Sequence, residues 1–211
     1  MHLTAALAVH RELGDSRHEA YNLRCHAEVH RDAGRLDRAL ELAQCALDLA
    51  REVDDPRLEA QAQETVAGVH LAAGRLGEAM TAFDRALGFA SATGSAYTKA
   101  QALTGIAVAL TAGGDAGPAL AVAEAALRIA RRARYLVLEG QALVAAADAA
   151  LMLGRPDVAH EHARAALDVH RRTGYMPGRA AADRVLNATP FARRGGDRVA
   201  PAPSRRLIRP A

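Results

Sequence analysis

The chain has 211 residues, with 27 basic and 24 acidic side chains and a formal net charge of +3. Half of the residues are apolar, only 3% are aromatic and none is Trp, so the core must consist of small aliphatic side chains on closely packed helices. A charged fraction of 24% excludes a chain that is disordered throughout. No apolar stretch is long enough to cross a bilayer, and neither a basic segment nor an apolar run follows Met1. We therefore expect a cytoplasmic protein without membrane contact.

The sequence repeats itself every forty residues without a gap. The columns that show this most clearly are Gly34, Gly74, Gly114 and Gly154; Ala39, Ala79, Ala119 and Ala159; Ala46, Ala86, Ala126 and Ala166; and Leu47, Leu87, Leu127 and Leu167. A fixed period of this length is typical of a solenoid, in which each repeat packs only on its neighbours. We predict an all-α fold, a right-handed α-solenoid of antiparallel helix pairs.

The register divides the chain into consecutive segments. They are the second helix of a partial repeat with its link (1–19), repeats at 20–59, 60–99, 100–139 and 140–179, a short capping helix (180–189) and a disordered basic tail (190–211). Within the first full repeat, one helix ends at Gly34, a residue that tolerates the left-handed conformation. A second helix follows over 36–53, with apolar residues at intervals of three and four.

The links between repeats carry turn residues at 54–56, 93–95 and 173–175. The link at 132–135 has neither Gly nor Pro, so the boundary there is less sharp. Residues 1–14 match a second helix whose first helix is missing. An unpaired helix exposes an apolar edge, so we expect the chain to come from a longer protein and residues 1–14 to offer a surface for self-association.

The helix pairs resemble the tetratricopeptide repeat (TPR), whose first helix carries a large residue, a large–small pair and another large residue. The first repeat reads Leu23, His26-Ala27 and His30, and the small position recurs at Ala67, Ala107 and Ala147. The chain departs from the family in its few aromatic residues and in its period of forty rather than thirty-four.

The Ala- and Arg-rich composition, with Lys99 as the only lysine, is typical of a GC-rich bacterial genome. The long-period array is similar to the C-terminal TPR arrays of SARP/AfsR-type bacterial transcriptional regulators. This resemblance implies a scaffold that binds a protein or peptide as the regulatory or sensor arm of such a regulator. Two alternatives stay open: a stand-alone TPR adaptor, and an intramolecular clamp on a nucleotide-binding switch domain that is missing from this chain.

The motifs of common active sites are absent from the sequence: a phosphate-binding G-x-x-x-x-G-K loop, H-E-x-x-H and G-x-S-x-G. We expect no enzyme, no cofactor and no metal site. His26 and His30 have a zinc-compatible spacing, but they fall in packing columns, and we also interpret the cluster of His160, His162 and His170 as structural. Cys25 and Cys45 are expected to be buried thiols. The basic tail lacks the interleaved aromatic residues that stack on bases, so nucleic-acid binding through this segment is not predicted.

The resemblance also implies a peptide-binding groove along the first helices. Its expected residues are Tyr21, Arg24, Glu28, Arg31, Gln61, Glu64, Leu71, Gln101, Thr104, Thr111, Gln141, Val144 and Asp148. Gln61, Gln101 and Gln141 stand forty residues apart, and such a ladder of amides could pair with the backbone of an extended peptide. The competing interpretation is that Gln is a soluble helix former repeated by duplication.

Overall fold

The computed structural model describes residue 5, residues 9–10 and residues 12–189. Within them the chain forms nine α-helices. In chain order they are α1 (Ser16–Asp32), α2 (Leu36–Glu52), α3 (Pro56–Ala72), α4 (Leu76–Thr93), α5 (Ala96–Gly113), α6 (Ala116–Ala133), α7 (Leu136–Met152), α8 (Pro156–Thr173) and α9 (Met176–Ala188). The predicted tail at 190–211 and most of the predicted helix at 1–14 lie outside the described residues.

The helices stack as antiparallel neighbours in two layers. Each helix packs on the next one along the chain, and each odd-numbered helix also packs on the next odd-numbered helix. Across the described helices, the even-numbered ones make no such contacts with one another. The odd-numbered layer is therefore the more closely spaced and lies on the concave side of the curve. The predicted all-helical array of antiparallel pairs with a forty-residue period is confirmed.

Alanine allows the helices to cross closely. The small position of the first helices, at Ala27, Ala67, Ala107 and Ala147, has no exposed surface. A methyl side chain lets two helix backbones approach at the short end of the usual interaxial range. Most larger apolar side chains of the core are leucines, and Phe83 is the largest side chain that is fully buried.

The links between repeats share one backbone conformation at positions forty residues apart. Gly14, Asp54, Gly94, Arg134 and Gly174 all have positive φ, from 49° to 70°. A left-handed residue ends a helix by turning the chain away from the helix axis. The link at 132–135 therefore turns in the same way as the glycine-containing links, although an arginine occupies its left-handed position.

The last described helix begins at Met176, four residues before the predicted capping helix. Pro177 lies in its first turn, a position that suits proline because the first helical N–H groups have no partner within the helix. Val185 is 1% exposed and packs with Ala147, Ala150, Ala159 and Ala163 of the preceding pair. The helix therefore covers the apolar end of the array.

The cysteines differ from the sequence prediction. Cys25 is partly buried, but Cys45 is exposed on the outer face of α2, so the prediction of two buried thiols is wrong for Cys45. Among the described helices, none combines the length and apolar character required to span a membrane.

Candidate binding cleft on the concave face

A cleft of about 620 Å³ opens on the concave layer and crosses α1, α3, α5, α7 and α9. Its floor contains side chains from the even-numbered helices. They reach the cleft where small residues of the odd-numbered helices leave space. A Cβ atom at Gly105 would lie 2.2 Å from the Phe83 ring, so the glycine leaves room for that ring. The cleft is charged at its α1 and α3 end and mainly apolar at its α7 and α9 end.

The structure brings nine of the thirteen predicted groove residues together in this cleft. They are Arg24, Glu28, Arg31, Glu64, Leu71, Gln101, Thr104, Gln141 and Val144. Tyr21 and Gln61 line a separate groove of about 260 Å³ near the start of α1 and α3. Thr111 and Asp148 line another groove of about 440 Å³, where Asp148 forms an ion pair with Arg184 at 3.0 Å.

The predicted glutamine ladder is divided between two grooves. Gln101 and Gln141 line the cleft, whereas Gln61 does not. Gln141 Nε2 donates a hydrogen bond to the Tyr175 hydroxyl at 3.3 Å, and the Gln101 amide lies close enough to Glu64 to lower the pKa of its carboxyl slightly. Both amides of the cleft therefore interact with side chains of the protein itself.

The charged end of the cleft begins on α1. Arg24 pairs with Glu28, one turn along the same helix, at 2.5 Å, and its guanidinium lies 5.1 Å from the centre of the Tyr21 ring. Arg31 pairs with its neighbour Asp32 at 2.8 Å. The Arg31 guanidinium reaches α3 where Gly68 leaves space, since a Cβ there would lie 2.9 Å from Arg31 Nη1.

Glu64 faces this pair of arginines from α3. Burial, reinforced by repulsion from Glu28, raises the pKa of the Glu64 carboxyl to about 7, and attraction to Arg31 and Arg24 offsets only part of the rise. Tyr97 lines the cleft nearby on α5, and burial together with the Glu64 charge raises the pKa of its phenol. The cleft thus contains a carboxyl group that exchanges its proton near neutral pH.

The other end of the cleft contains a fully buried histidine. The His170 ring, from α8, lies against Gly140 of α7 and Gly178 of α9, where a Cβ would come within 2.3 Å and 2.4 Å of ring atoms. Its centre lies 5.3 Å from that of the Tyr175 ring. Burial lowers the pKa of His170, which favours the neutral ring in this apolar setting.

Sequence reasoning missed Tyr97, Phe83 and His170 as cleft residues. The sequence does contain a sign of the role of Phe83. The equivalent positions in the other repeats are Ala43, Ala123 and Ala163, and the facing helix has a glycine, Gly105, where the larger ring needs space. A large residue in a small column, opposite an unusual glycine, indicates a local exchange of volume.

Of the two histidines with zinc-compatible spacing, His30 accepts a hydrogen bond, whereas the buried Nε2 atom of His26 has no hydrogen-bond partner among the described residues. Arg35 Nε donates to His30 Nδ1 at 2.9 Å, and Arg75 Nε donates to His70 Nδ1 at 3.0 Å, forty residues on. Burial lowers the pKa of both rings. An Nδ1 atom that accepts a hydrogen bond carries no proton, so these rings act as neutral acceptors for the arginine that follows each first helix.

A third group of histidines lies at the start of α1. His10, Asp15 and His18 place one potential metal ligand each within 4.8 Å of one another. Asp15 caps α1 by accepting from the His18 N–H at 3.2 Å, and its other oxygen lies 2.7 Å from His18 Nδ1. The bond from the His18 backbone is the main cause that lowers the pKa of Asp15. Helix capping accounts for this arrangement.

The array and its cleft define a helical-repeat scaffold. Residues 18–92 match the sequence model of the tetratricopeptide repeat family, and antiparallel helix pairs of the same kind continue to residue 188. A comparison with curated protein sequences gave no match.

Several solved structures share the fold. A Rap protein complexed with competence and sporulation factor is 17% identical, with a TM-score of 0.70 over 79% of this chain and 46% of that one. Aspartyl phosphate phosphatase F from Bacillus subtilis is 16% identical, with a TM-score of 0.67 over 80% and 44%. BtubC (BKLC) from P. vanneervenii is 16% identical, with a TM-score of 0.66 over 99% and 96%. The chain spans less than half the length of the first two, and at these identities the likeness shows the fold alone.

Proposed function

We propose that this protein is a scaffold that binds a protein segment or peptide, in extended conformation, within the concave cleft. The observation that carries the proposal is the cleft itself, which runs across five helices with charged groups at one end and apolar groups at the other. Such a surface suits a chain that presents different side chains along its length. The Rap structure, solved in complex with competence and sporulation factor, supports a binding role for an array of this shape.

The cleft can be blocked without disturbing the core. Val108 lines the cleft from α5 and is 39% exposed, so Val108→Arg places a long charged side chain in the groove and removes little buried surface. Ser91→Arg, at an exposed position on α4 outside the cleft, is the matched control. The probe is a phage-displayed library of random heptapeptides, selected on the immobilised protein.

We expect the wild-type protein and Ser91→Arg to enrich the same peptides and Val108→Arg to lose them. Fluorescence polarisation with synthetic copies of these peptides should give a Kd for Val108→Arg at least about tenfold higher than for wild type. This corresponds to a loss of roughly 1.4 kcal/mol in binding free energy. Peptides that bind all three proteins equally would place the binding surface elsewhere. If no peptide is enriched over several rounds, the proposed function is wrong.

We further propose that the array serves as the regulatory or sensor arm of a bacterial transcriptional regulator. The support is the Ala- and Arg-rich forty-residue repeat, which is similar to the arrays of SARP/AfsR-type regulators. A stand-alone adaptor and a clamp on a nucleotide-binding switch domain are the alternatives. The coding sequence upstream of Met1 separates them: an in-frame winged-helix or nucleotide-binding segment supports the regulator or the clamp, and a ribosome-binding site directly before Met1 supports the adaptor.

A further inference from the structure

The ion pairs at the α1 and α3 end of the cleft leave one carboxylate without a direct partner. Arg24 pairs with Glu28 and Arg31 with Asp32, so each guanidinium already has a carboxylate from its own helix. In the described part of the chain, Glu64 takes part in no such ion pair, and the neutral Gln101 amide lies beside it. Of the charged side chains that line the cleft, Arg24 and Arg31 face Glu28 and Glu64. In this set Glu64 is the carboxylate that makes no direct ion pair, although both arginines attract it from a distance.

Glu64 faces the cleft rather than the opposite side of α3. The groups that influence it come from α1 and α5. On the other side of the helix, Gln63 and His70 line a separate groove with Arg51 of α2 and with Glu78 and Arg85 of α4. A ligand in the main cleft therefore meets Glu64 without contacting that second set of charges.

An aromatic ring completes the surroundings of Glu64. Tyr97 is 44% exposed and lines the cleft, and its ring is held edge to face against Tyr135 with centres 5.3 Å apart. The face of a tyrosine ring attracts cations. A carboxylate beside an aromatic ring is a combination that recognises ammonium and guanidinium groups.

We propose that the peptide bound in the cleft presents a cationic group, a Lys or Arg side chain or a free amino terminus, to Glu64. This inference rests on the proposed function, because it names the chemistry of the same cleft's ligand. In the empty cleft the Glu64 carboxyl binds a proton below about pH 7, and in the complex the ligand's cation takes the place of that proton. Binding therefore releases a proton around neutral pH.

The apolar end of the cleft determines which side chains the rest of the ligand presents and how far they lie from its cationic group. Val137 and Val144 of α7 and Pro177 of α9 line it. Glu64 on α3 is separated from α7 by two interhelical steps of 8–10 Å, so roughly 16–20 Å. An extended chain covers that span in about five or six residues at roughly 3.3 Å each. The ligand is thus a short segment with a cationic group at one end and apolar side chains about five residues away.

The same peptide selection tests this inference when it is repeated on Glu64→Gln. Gln keeps the size of the side chain and its hydrogen bonding but removes the charge, and Glu161→Gln, at an exposed position on α8, is the control. We expect the wild-type protein and Glu161→Gln to enrich Lys or Arg over the unselected library, and Glu64→Gln to lose that enrichment. Selected peptides that lose binding to Val108→Arg and yet lack basic residues, or carry Asp and Glu instead, would contradict the inference. That result would overturn the inference and leave the proposed function intact.

Synthetic versions of one selected peptide then locate the cation. The peptide is measured with its basic residue, with norleucine in that position, and with an acetylated amino terminus, at pH 6 and pH 8. For a carboxyl group with a pKa of about 7, we expect wild-type affinity to increase by up to about tenfold over this range. The increase should vanish in Glu64→Gln and for the peptide form that lacks the responsible cation. An equal pH dependence in Glu64→Gln, or equally tight binding of peptides in which both cationic sources are removed, overturns the inference.

Discussion

At the scale of single residues, His170 shows how one side chain can depend on the absence of another. Its ring occupies the space that a side chain at Gly140 or Gly178 would need, and it has no exposed surface. A ring confined on two sides cannot move aside without disturbing α7 or α9. The two glycines are therefore required by packing, since both lie within helices, where glycine otherwise lowers stability.

Gly140→Ala should destabilise the protein by about 1–3 kcal/mol, the usual cost of overpacking a core. Gly88→Ala, on an exposed part of α4 with open space around its Cβ position, should stabilise it by about 0.5–1 kcal/mol. Urea denaturation measures both. In a His170→Ala background the effect of Gly140→Ala should shrink or reverse, and an unchanged effect would show that the ring is not the cause.

The protonation of Glu64 also predicts how stability changes with pH. The pKa of this carboxyl is about 7 in the folded protein against an ordinary value of 4.5. The folded state therefore holds the proton more tightly than the unfolded chain, and this contribution is complete below pH 4.5 and lost as the pH rises through 7. We expect Glu64→Gln, which stays neutral, to gain stability relative to wild type between pH 5 and pH 8.

Urea denaturation at several pH values tests this difference. The partly buried His30 and His70 and the buried His170 titrate in both proteins, so their contributions cancel when the variant is compared with wild type. Glu161→Gln, at an exposed position on α8, is the matched control. A pH-independent difference for Glu64→Gln would mean that the carboxyl has an ordinary pKa.

At the scale of the helices and their links, the left-handed residue between repeats is the feature that the register explains best. The column holds Gly14, Gly94 and Gly174, but also Asp54 and Arg134, in the same conformation. In this conformation a residue with a Cβ lowers the stability of the fold by roughly 1 kcal/mol or more, and Asp tolerates the conformation better than Arg. Arg134 is thus the strained member of the column.

Arg134→Gly should raise the free energy of unfolding by about 0.5–1 kcal/mol, because glycine removes the strain but also adds freedom to the unfolded chain. Gly94→Arg, the reverse change at the equivalent link, should lower it by a similar or larger amount. Thermal and urea unfolding measure both variants. Destabilisation by Arg134→Gly would indicate that contacts of the arginine side chain outweigh the backbone strain.

Periodic features of the sequence predicted the helix pairs, because a solenoid imposes the same environment on each member of a column. Ala27 and its equivalents, and the glycines that follow the first helices, are such positions. The cleft was predicted only in part, because its shape depends on residues that break the columns. Phe83 and His170 are single large residues with glycines opposite them, and Gln61 shares a column with Gln101 yet lies in another groove. Pairwise compensation of this kind does not repeat, so periodicity does not reveal it.

At the scale of the whole molecule, the pattern of helix contacts determines how local damage spreads. Within the described residues, each helix contacts its neighbours along the chain, and the odd-numbered helices also contact the next odd-numbered helix. Stability in such an array is approximately a sum of terms for each repeat and each interface. A terminal helix can therefore open while the distant repeats stay folded.

Val185→Asp tests this at the end of the array. Val185 is 1% exposed on α9, and a carboxylate there would be buried without a partner, at a cost of several kcal/mol. We expect hydrogen exchange measured by mass spectrometry to increase strongly in α9 and α8 and less in α7, with α1 to α4 unchanged. Asp183→Asn, at an exposed position on the same helix, should leave the exchange pattern as in wild type. An equal increase in all helices would mean that the array unfolds as one cooperative unit, and that the cleft would be lost together with its last helix.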